Sequence, residues 1–336
     1  MSQKPRRIGI LYGMERTFPP ALAERINALA GGDVKAEPVQ VGAARDDLRP
    51  DYDVILDRIS QDVPFYRTLL KGAAAHGAQV VNNPFWWTAD DKFVCNIVAR
   101  AAGVAVPRTV LLPHKQHPPG TSPDSFSNLR YPLPWEDVFA FLGFPVFIKP
   151  AHGGGWKDVH KARTPEEFFR AYDQTHTLTM IAQEGIEFTE YYRCYCLGRR
   201  TVHIMRYEPR NPHHLRYVKN SPPAPAMKDR LERDCLALCR ALGYDFNTLE
   251  FAVRDGVPYA IDFMNPAPDA DVNSVGRENF DWIVENAAGF LLDRARNPVP
   301  FEMTGDWPGR IPATAAPSAA AGEAPVRPSR PQRSRS

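Results

Sequence analysis

Residues 144–156 read F-P-V-F-I-K-P-A-H-G-G-G-W, a short apolar run that ends in Lys149 and leads into three consecutive glycines. A strand of this kind holds an ammonium group rigidly at its end. Gly153, Gly154 and Gly155 can adopt positive φ and present bare backbone N–H groups to an anion. Pro150 cannot donate to a sheet ladder, so it marks where strand gives way to loop. The combination suits phosphate chemistry. It matches neither G-x-x-x-x-G-K-[ST] nor G-x-G-x-x-G, and a plain strand with a flexible turn is the alternative reading.

Other reactive residues fall at informative positions. Lys92 stands in the first turn of a helix expected over residues 89–102 with Thr88 as its cap, where a cation opposes the helix dipole and an external anion would relieve it. Glu250 and Asp262 interrupt two otherwise apolar strands that flank Asp255-Gly256, a hairpin signal. Arg16 and Arg58 follow the first and third strands of a β-α-β pattern, where parallel sheets bind their ligands. Arg58 reads either as a clamp for a substrate carboxylate or as a surface ion pair. The five cysteines, Cys95, Cys194, Cys196, Cys235 and Cys239, are an odd number that suits reduced thiols. Cys194-x-Cys196 in a strand and Cys235 with Cys239 one helical turn apart would form a zinc site if the two elements met; otherwise they are small buried hydrophobes. Neither Cys194 nor Cys196 has a placed histidine partner for nucleophilic catalysis.

The elements that must position these groups alternate. Strands at 7–12, around Val39 and Val41, at 52–56 and at 78–81 are separated by helices at 20–29 and 64–77, which predicts a small parallel sheet with helices on its faces. Residues 114–133 form a long irregular connection rich in proline. Beyond Lys149, a helix starts at Thr164-Pro165 and runs to about Asp173, a strand covers 180–184, and 191–197 with 201–206 form a hairpin around Gly198. A helix over 228–242 stops at Gly243, before the strands at 249–253 and 259–264. The expected class of the N-terminal part is therefore α/β, in a domain that spans 1–85.

Composition sets bounds. With 336 residues, 43% hydrophobic and 24% charged, the chain can bury the cores of two or three domains. The formal charge of +2 comes from Arg327, Arg330, Arg333 and Arg335 in the tail, leaving the body slightly acidic and giving no broad basic face for nucleic acid. The tail, 301–336, is rich in Pro, Ala and Arg and poor in large apolar residues, so disorder is expected there. No segment reaches the roughly 18 apolar residues of a membrane span, and the N-terminal apolar run is too short for a signal sequence. A cytoplasmic protein is expected.

Taken together, the residues resemble the ATP-grasp superfamily of carboxylate–amine ligases. The features are a lysine opening a helix, a second lysine before a glycine-rich flap, a Gln-Glu connector, and acidic strands ending in Asp262-Phe263-Met264-Asn265-Pro266. The D-x-x-x-x-R-I run from Asp53 is most similar to the glutathione synthetase and ribosomal-protein glutamate ligase branch, and the resemblance covers about residues 6–295. It implies the fold class α/β plus α+β: the small N-terminal α/β domain at 1–85, followed by an ATP-grasp unit at 86–300 with parts at 86–143, 144–190 and 191–300, whose two α+β lobes grip ATP between antiparallel sheets. Lys92, Lys149 and the flap Gly153, Gly154 and Gly155 would contact the triphosphate. Gln183, Glu184 and Ile186 would hold adenine, and Glu190 the ribose. Arg193 and Arg206 would face phosphate and the acyl intermediate, Arg16 and Arg58 the substrate. Glu250, Asp262 and Asn265 would bind Mg²⁺, or Mn²⁺ in its place. The implied activity joins an amino acid or peptide carboxylate to an amine through an acylphosphate, with ADP and phosphate released; homo-oligomer formation stays open. The alternatives are an ATP-binding regulator without turnover, or a bicarbonate-using carboxylase, which would need a biotinyl partner.

One spacing departs from that family, which places its last two ligands as acid-x-Asn on one strand face. Asp262 and Asn265 are three apart and point oppositely in a regular strand. A two-residue Asp255-Gly256 turn pairs Glu250 with Ile261, whereas a three-residue loop sets Glu250 opposite Asp262. The second register is expected, with Phe251 and Ile261 in the core behind the site and Asn265 turned in by a bulge or by the chain leaving the sheet. Two carboxylates about 4 Å apart repel by roughly 4 kcal/mol at an effective dielectric near 20, a penalty that a hard cation removes.

Overall fold

A computed structural model describes residues 4–47, 50–85, 91–219 and 221–299. Thr88 and the tail 301–336 lie outside them.

The first domain contains β1 (Arg6–Leu11), α1 (Phe18–Leu29), β2 (Val34–Pro38), β3 (Val54–Asp57), α2 (Pro64–Ala75) and β4 (Gln79–Val81). Its strands form a parallel sheet in the order β2-β1-β3-β4. The apolar runs of β1 and β3 are buried on both faces, as helix-covered parallel strands require. The second strand lies at 34–38 rather than around Val39 and Val41. Val34 and Ala36 supply its buried side, and the Asn27 carboxamide pairs with both the N–H and the carbonyl of Ala36 at 2.8 and 2.9 Å.

Next come α3 (Lys92–Ala101), β5 (Thr109–Leu112), α4 (Trp135–Leu142), β6 (Val146–Pro150), β7 (His160–Ala162), α5 (Pro165–Asp173) and β8 (Met180–Glu184). Helix α3 begins with Asp91 as its N-cap, the carboxylate accepting from Val94 N–H. The antiparallel sheet runs β5-β8-β6-β7. Val146, Ile148 and Ala182 meet Phe168, Tyr172, Trp135 and Phe139 on one face. Alternation therefore sends Phe147, Lys149 and Gln183 to the other.

The last part comprises β9 (Glu190–Leu197), β10 (Thr201–Tyr207), β11 (Tyr217–Val218), α6 (Pro225–Leu242), β12 (Phe246–Arg254), β13 (Val257–Asp262), α7 (Val272–Val275) and α8 (Arg277–Arg296). Its sheet order is β11-β10-β9-β12-β13. Helices α3 and α6 cover one face, burying Cys194, Cys196, Leu249 and Phe251 against Val98, Leu231, Cys235 and Leu238. Gly243 ends α6 in the left-handed conformation. Helix α8 returns to the first domain, where Ile283, Ala287 and Leu291 pack with Ile8, Ile10, Leu22 and Ile26. Among the described residues no helix is long and apolar enough to cross a membrane.

Candidate active site

The β12–β13 hairpin turns on Asp255 and Gly256, with φ of 52° and 72°, both left-handed as a two-residue hairpin turn demands. From the turn, Arg254 pairs with Val257, Val253 with Pro258, Ala252 with Tyr259 and Phe251 with Ala260; the register then shifts, and Glu250 pairs with Asp262. The expected three-residue loop is absent, yet the two acids are opposite each other. One extra residue, Ile261, forms a bulge that inverts the alternation beyond it. Phe251 and Ala260 stay in the core under α6. Ile261 does not join them, contrary to expectation. It packs beside Ile186, Tyr191, Tyr207 and Ala252, and its carbonyl accepts from Lys149 Nζ at 3.3 Å.

Lys149 thus reaches from β6 across to β13. Burial pushes its pKa down to about 8; Lys92 adds to the fall, while Asp262 and Glu250 oppose it. Burial also raises the pKa of Glu250, with Asp262 adding to the rise and Arg193, Tyr191 and Lys149 opposing it. Tyr191 donates to Glu250 Oε2 at 2.5 Å, and Arg193 Nε lies 3.6 Å from Oε1. Lys92 Nζ donates to the Gly153 carbonyl, and its backbone N–H to Ala151 O at 3.0 Å, so the start of α3 touches the flap. Gly153 and Gly155 have φ of 83° and 73°, whereas Gly154 does not take positive φ.

Asn265 follows β13. Its Nδ2 donates to Thr248 O at 3.1 Å, and its Oδ1 accepts no hydrogen bond from the described residues. Glu250, Asp262 and Asn265 together offer two carboxylates and one amide oxygen. That donor set suits a hard divalent cation. The buried Thr248 hydroxyl, on the sheet face that carries Glu250, has no hydrogen-bond partner among the described residues.

Several expected members are not brought together. Arg193 pairs with Glu250 across β9 and β12 and shares its face. Arg206 pairs with Tyr192 across β9 and β10, which puts it on the opposite face. There it donates to Glu190 at 2.6 Å and lies over the Tyr192 ring. Glu190, also hydrogen-bonded by Tyr192, is held below the usual carboxylate range by these partners. Arg206 and Glu190 therefore form a unit behind the sheet and do not face the cation site. Arg58, with a side chain 1% exposed, is engaged bidentately by Glu15 and donates to Pro268 O at 2.7 Å. Arg16 is exposed and donates to Gly13 O and Glu15 O. Neither is held out as a carboxylate clamp.

The connector divides its duties. Gln183 Nε2 donates to Thr109 Oγ1 at 3.1 Å on the face that carries Lys149. Burial would raise the pKa of Glu184, but Arg108 at 3.1 Å and Arg254 at 2.9 Å hold it down. Its carboxylate is thus a bridge between the sheets and is not free for a ligand. Ile186 N–H has no partner among the described residues. The strand and helix that carry the cysteines do meet: Cys194, Cys196, Cys235 and Cys239 lie together in one buried cluster. Yet no group of three or more His, Cys, Asp or Glu among the described residues is placed to hold a metal. These thiols are core.

No family model matches the chain. A stretch of 121 residues is 30% identical to D-alanine–D-alanine ligase of Dechloromonas aromatica, covering 35% of this chain and 34% of that relative. The match thus spans about a third of the relative's length. Among solved structures, D-alanine–D-alanine ligase from Bacillus anthracis complexed with ATP is similar with a TM-score of 0.63 and 17% identity, over 88% of this chain and 98% of that one. A RimK-domain ATP-grasp protein from Sphaerobacter thermophilus is similar with a TM-score of 0.62 and 17% identity, over 85% and 99%. The chain has the fold of the ATP-grasp ligases.

Proposed function

We propose that the chain is an ATP-dependent carboxylate–amine ligase that forms an amide or peptide bond through an acylphosphate. The observation that carries this reading is the bulge at Ile261, which sets Asp262 opposite Glu250 and brings the Ile261 carbonyl to Lys149. Two partly buried carboxylates facing one lysine between two sheets form a charge cluster that a cation and a polyphosphate would complete. The similarity to ligases over nearly the whole chain supports the same reading.

In the first step an oxygen of the acceptor carboxylate attacks the γ-phosphorus of ATP, and the bond from that phosphorus to the β–γ bridging oxygen breaks, releasing ADP. In the second, an amine nitrogen attacks the acyl carbon, phosphate leaves with the former carboxylate oxygen, and the nitrogen loses a proton. Lys149 donates to the transferring group as its charge shifts, from a partly buried site where a hydrogen bond counts for more than in water. Lys92 and the N–H groups of Gly153 and Gly155 contact the same polyphosphate from above. Arg193 meets the acyl phosphate on the face of Glu250. Glu250, Asp262 and Asn265 would hold Mg²⁺, or Mn²⁺, which when bound supplies Lewis-acid neutralisation of the phosphates. Ile186 N–H and the apolar surface around Tyr191 and Ile261 suit adenine. The acceptor is a small amino acid or peptide.

Incubation with ATP, Mg²⁺ and pooled amino acids and dipeptides, followed by nucleotide analysis, tests the reading. Substrate-dependent ADP is expected. AMP would point to a different activation chemistry, and tight ATP binding without ADP would mark a regulator.

A further inference from the structure

The spacing from Asp262 to Asn265 requires something to turn the asparagine after the strand has ended. β13 stops at Asp262, while β12 continues back to Phe246, so residues 246–249 of β12 have no partner on that side. Asn247, fully buried, fills the gap with its side chain. Its Nδ2 donates to Phe263 O at 2.8 Å and its Oδ1 accepts from Asn265 N–H at 2.8 Å. One carboxamide thereby satisfies a carbonyl and an N–H two residues apart, as a neighbouring strand residue would. Asn265 returns the contact, its Nδ2 donating to Thr248 O at 3.1 Å. A backbone carbonyl only accepts, so this bond fixes which end of the Asn265 amide is nitrogen and leaves Oδ1 as its ligand atom.

We propose that Asn247 is a positioning residue for the cation site, its carboxamide holding the chain at Phe263 and Asn265 so that Asn265 Oδ1 joins Glu250 and Asp262. The proposal rests on the reading of those three residues as cation ligands. Asn247 sits on the core side of β12, because Glu250 and Thr248 alternate with it, so it cannot touch the cation itself. It acts through Asn265. The device explains how this chain carries its last ligand one residue later than acid-x-Asn allows: the bulge at Ile261 corrects the parity of Asp262, and the Asn247 clamp sets the exit of the chain.

The test measures Mn²⁺ bound to the full chain with ADP present, from the loss of the free-ion electron paramagnetic resonance signal, without turnover. Asn247→Ser can replace one of the two hydrogen bonds but not both; Asn247→Asp keeps the shape and the acceptor and loses the donor. Circular dichroism identifies the variants that fold, and wild type at sub-denaturing urea supplies a control matched in stability. A folded Asn247→Ser should bind Mn²⁺ roughly tenfold more weakly, the usual scale for an outer residue that orients a ligand. Asn265→Ala should weaken binding at least as much. Adding Asn247→Ser to Asn265→Ala should then cost nothing further, since the first acts only through the second. Additive losses, or undiminished Mn²⁺ affinity in either folded Asn247 variant while Asn265→Ala is weakened, would overturn the proposal and leave the cation site standing. If Glu250→Gln and Asn265→Ala both bind Mn²⁺ as wild type does, the cation-site reading itself fails. Failure of both Asn247 variants to fold would also count against it, because the residue would then serve the core.

Discussion

Replacing Lys149 by methionine should make the protein more stable and catalytically inert. Its folded-state pKa is depressed from 10.5 to about 8, chiefly by burial, so the native state disfavours the charged amine by roughly 3 kcal/mol relative to the unfolded chain. Methionine removes that cost and keeps much of the side-chain volume. It also removes the hydrogen bond to the Ile261 carbonyl, a loss of about 1 kcal/mol. The net gain expected without nucleotide or metal is therefore about 2 kcal/mol. Its pH dependence has a fixed sign. Below pH 8 the lysine is charged in both states and the cost is fully present; between pH 8 and 10.5 only the unfolded state keeps the proton, and the wild type recovers stability as pH rises. Urea unfolding of both proteins at pH 7 and pH 10 measures this difference: the variant should lead at pH 7 and lose most of its lead by pH 10. Turnover should fall about 10²- to 10³-fold, the loss typical of one preorganised donor. A variant less stable than wild type at pH 7, or one that keeps its turnover, would refute the reasoning.

Asp262→Asn removes one of two carboxylates while keeping shape, so the Mg²⁺ concentration needed for half-maximal ATP binding should rise about tenfold or more, as calorimetric titrations would register. Arg206→Ala should leave kcat within about threefold, because the guanidinium lies behind the sheet with Glu190; steady-state kinetics showing a loss beyond 10² would restore it to the reacting groups. All five cysteines are buried, so a thiol reagent should label none in the native protein and all of them in denaturant, as counted by mass spectrometry.

Much of this site was readable where local chemistry decides. The strand into Lys149, the Asp255-Gly256 turn and the Gly243 stop each depend on a few adjacent residues with restricted backbones. The domain's second strand was misplaced because Val34 and Ala36 are the only apolar signal in a half-buried edge. Parity misled for Arg206. The loop after β9 has three residues, Gly198, Arg199 and Arg200, which pairs Arg193 with Met205 and sends Arg206 to the back. The same register arithmetic applied to Glu250 would have revealed this. For Arg58 the ion pair is the outcome of the two readings, but a buried one, and its partner Glu15 lies 43 residues earlier, where only the fold joins the two loops. The bulge at Ile261 leaves no mark in composition, and the Asn247 clamp depends on where β13 stops. Helix α8 carries its buried residues at helical spacing, with Phe280, Ile283, Val284, Ala287, Ala288, Leu291 and Leu292 on one face, so the helix is legible locally while its partner, the N-terminal sheet, is not.

The central claim is that a carboxylate is activated as an acylphosphate, and hydroxylamine tests it most directly because it captures that species before any amine substrate is known. The protein is incubated with ATP, Mg²⁺, a pool of amino acids and dipeptides, and hydroxylamine, and hydroxamates and nucleotides are quantified together. The account predicts hydroxamate formed in equal amount to ADP, dependent on the carboxylate and lost in Lys149→Met. Hydroxamate accompanied by AMP and pyrophosphate, or ADP formed with no hydroxamate from any carboxylate, would contradict it.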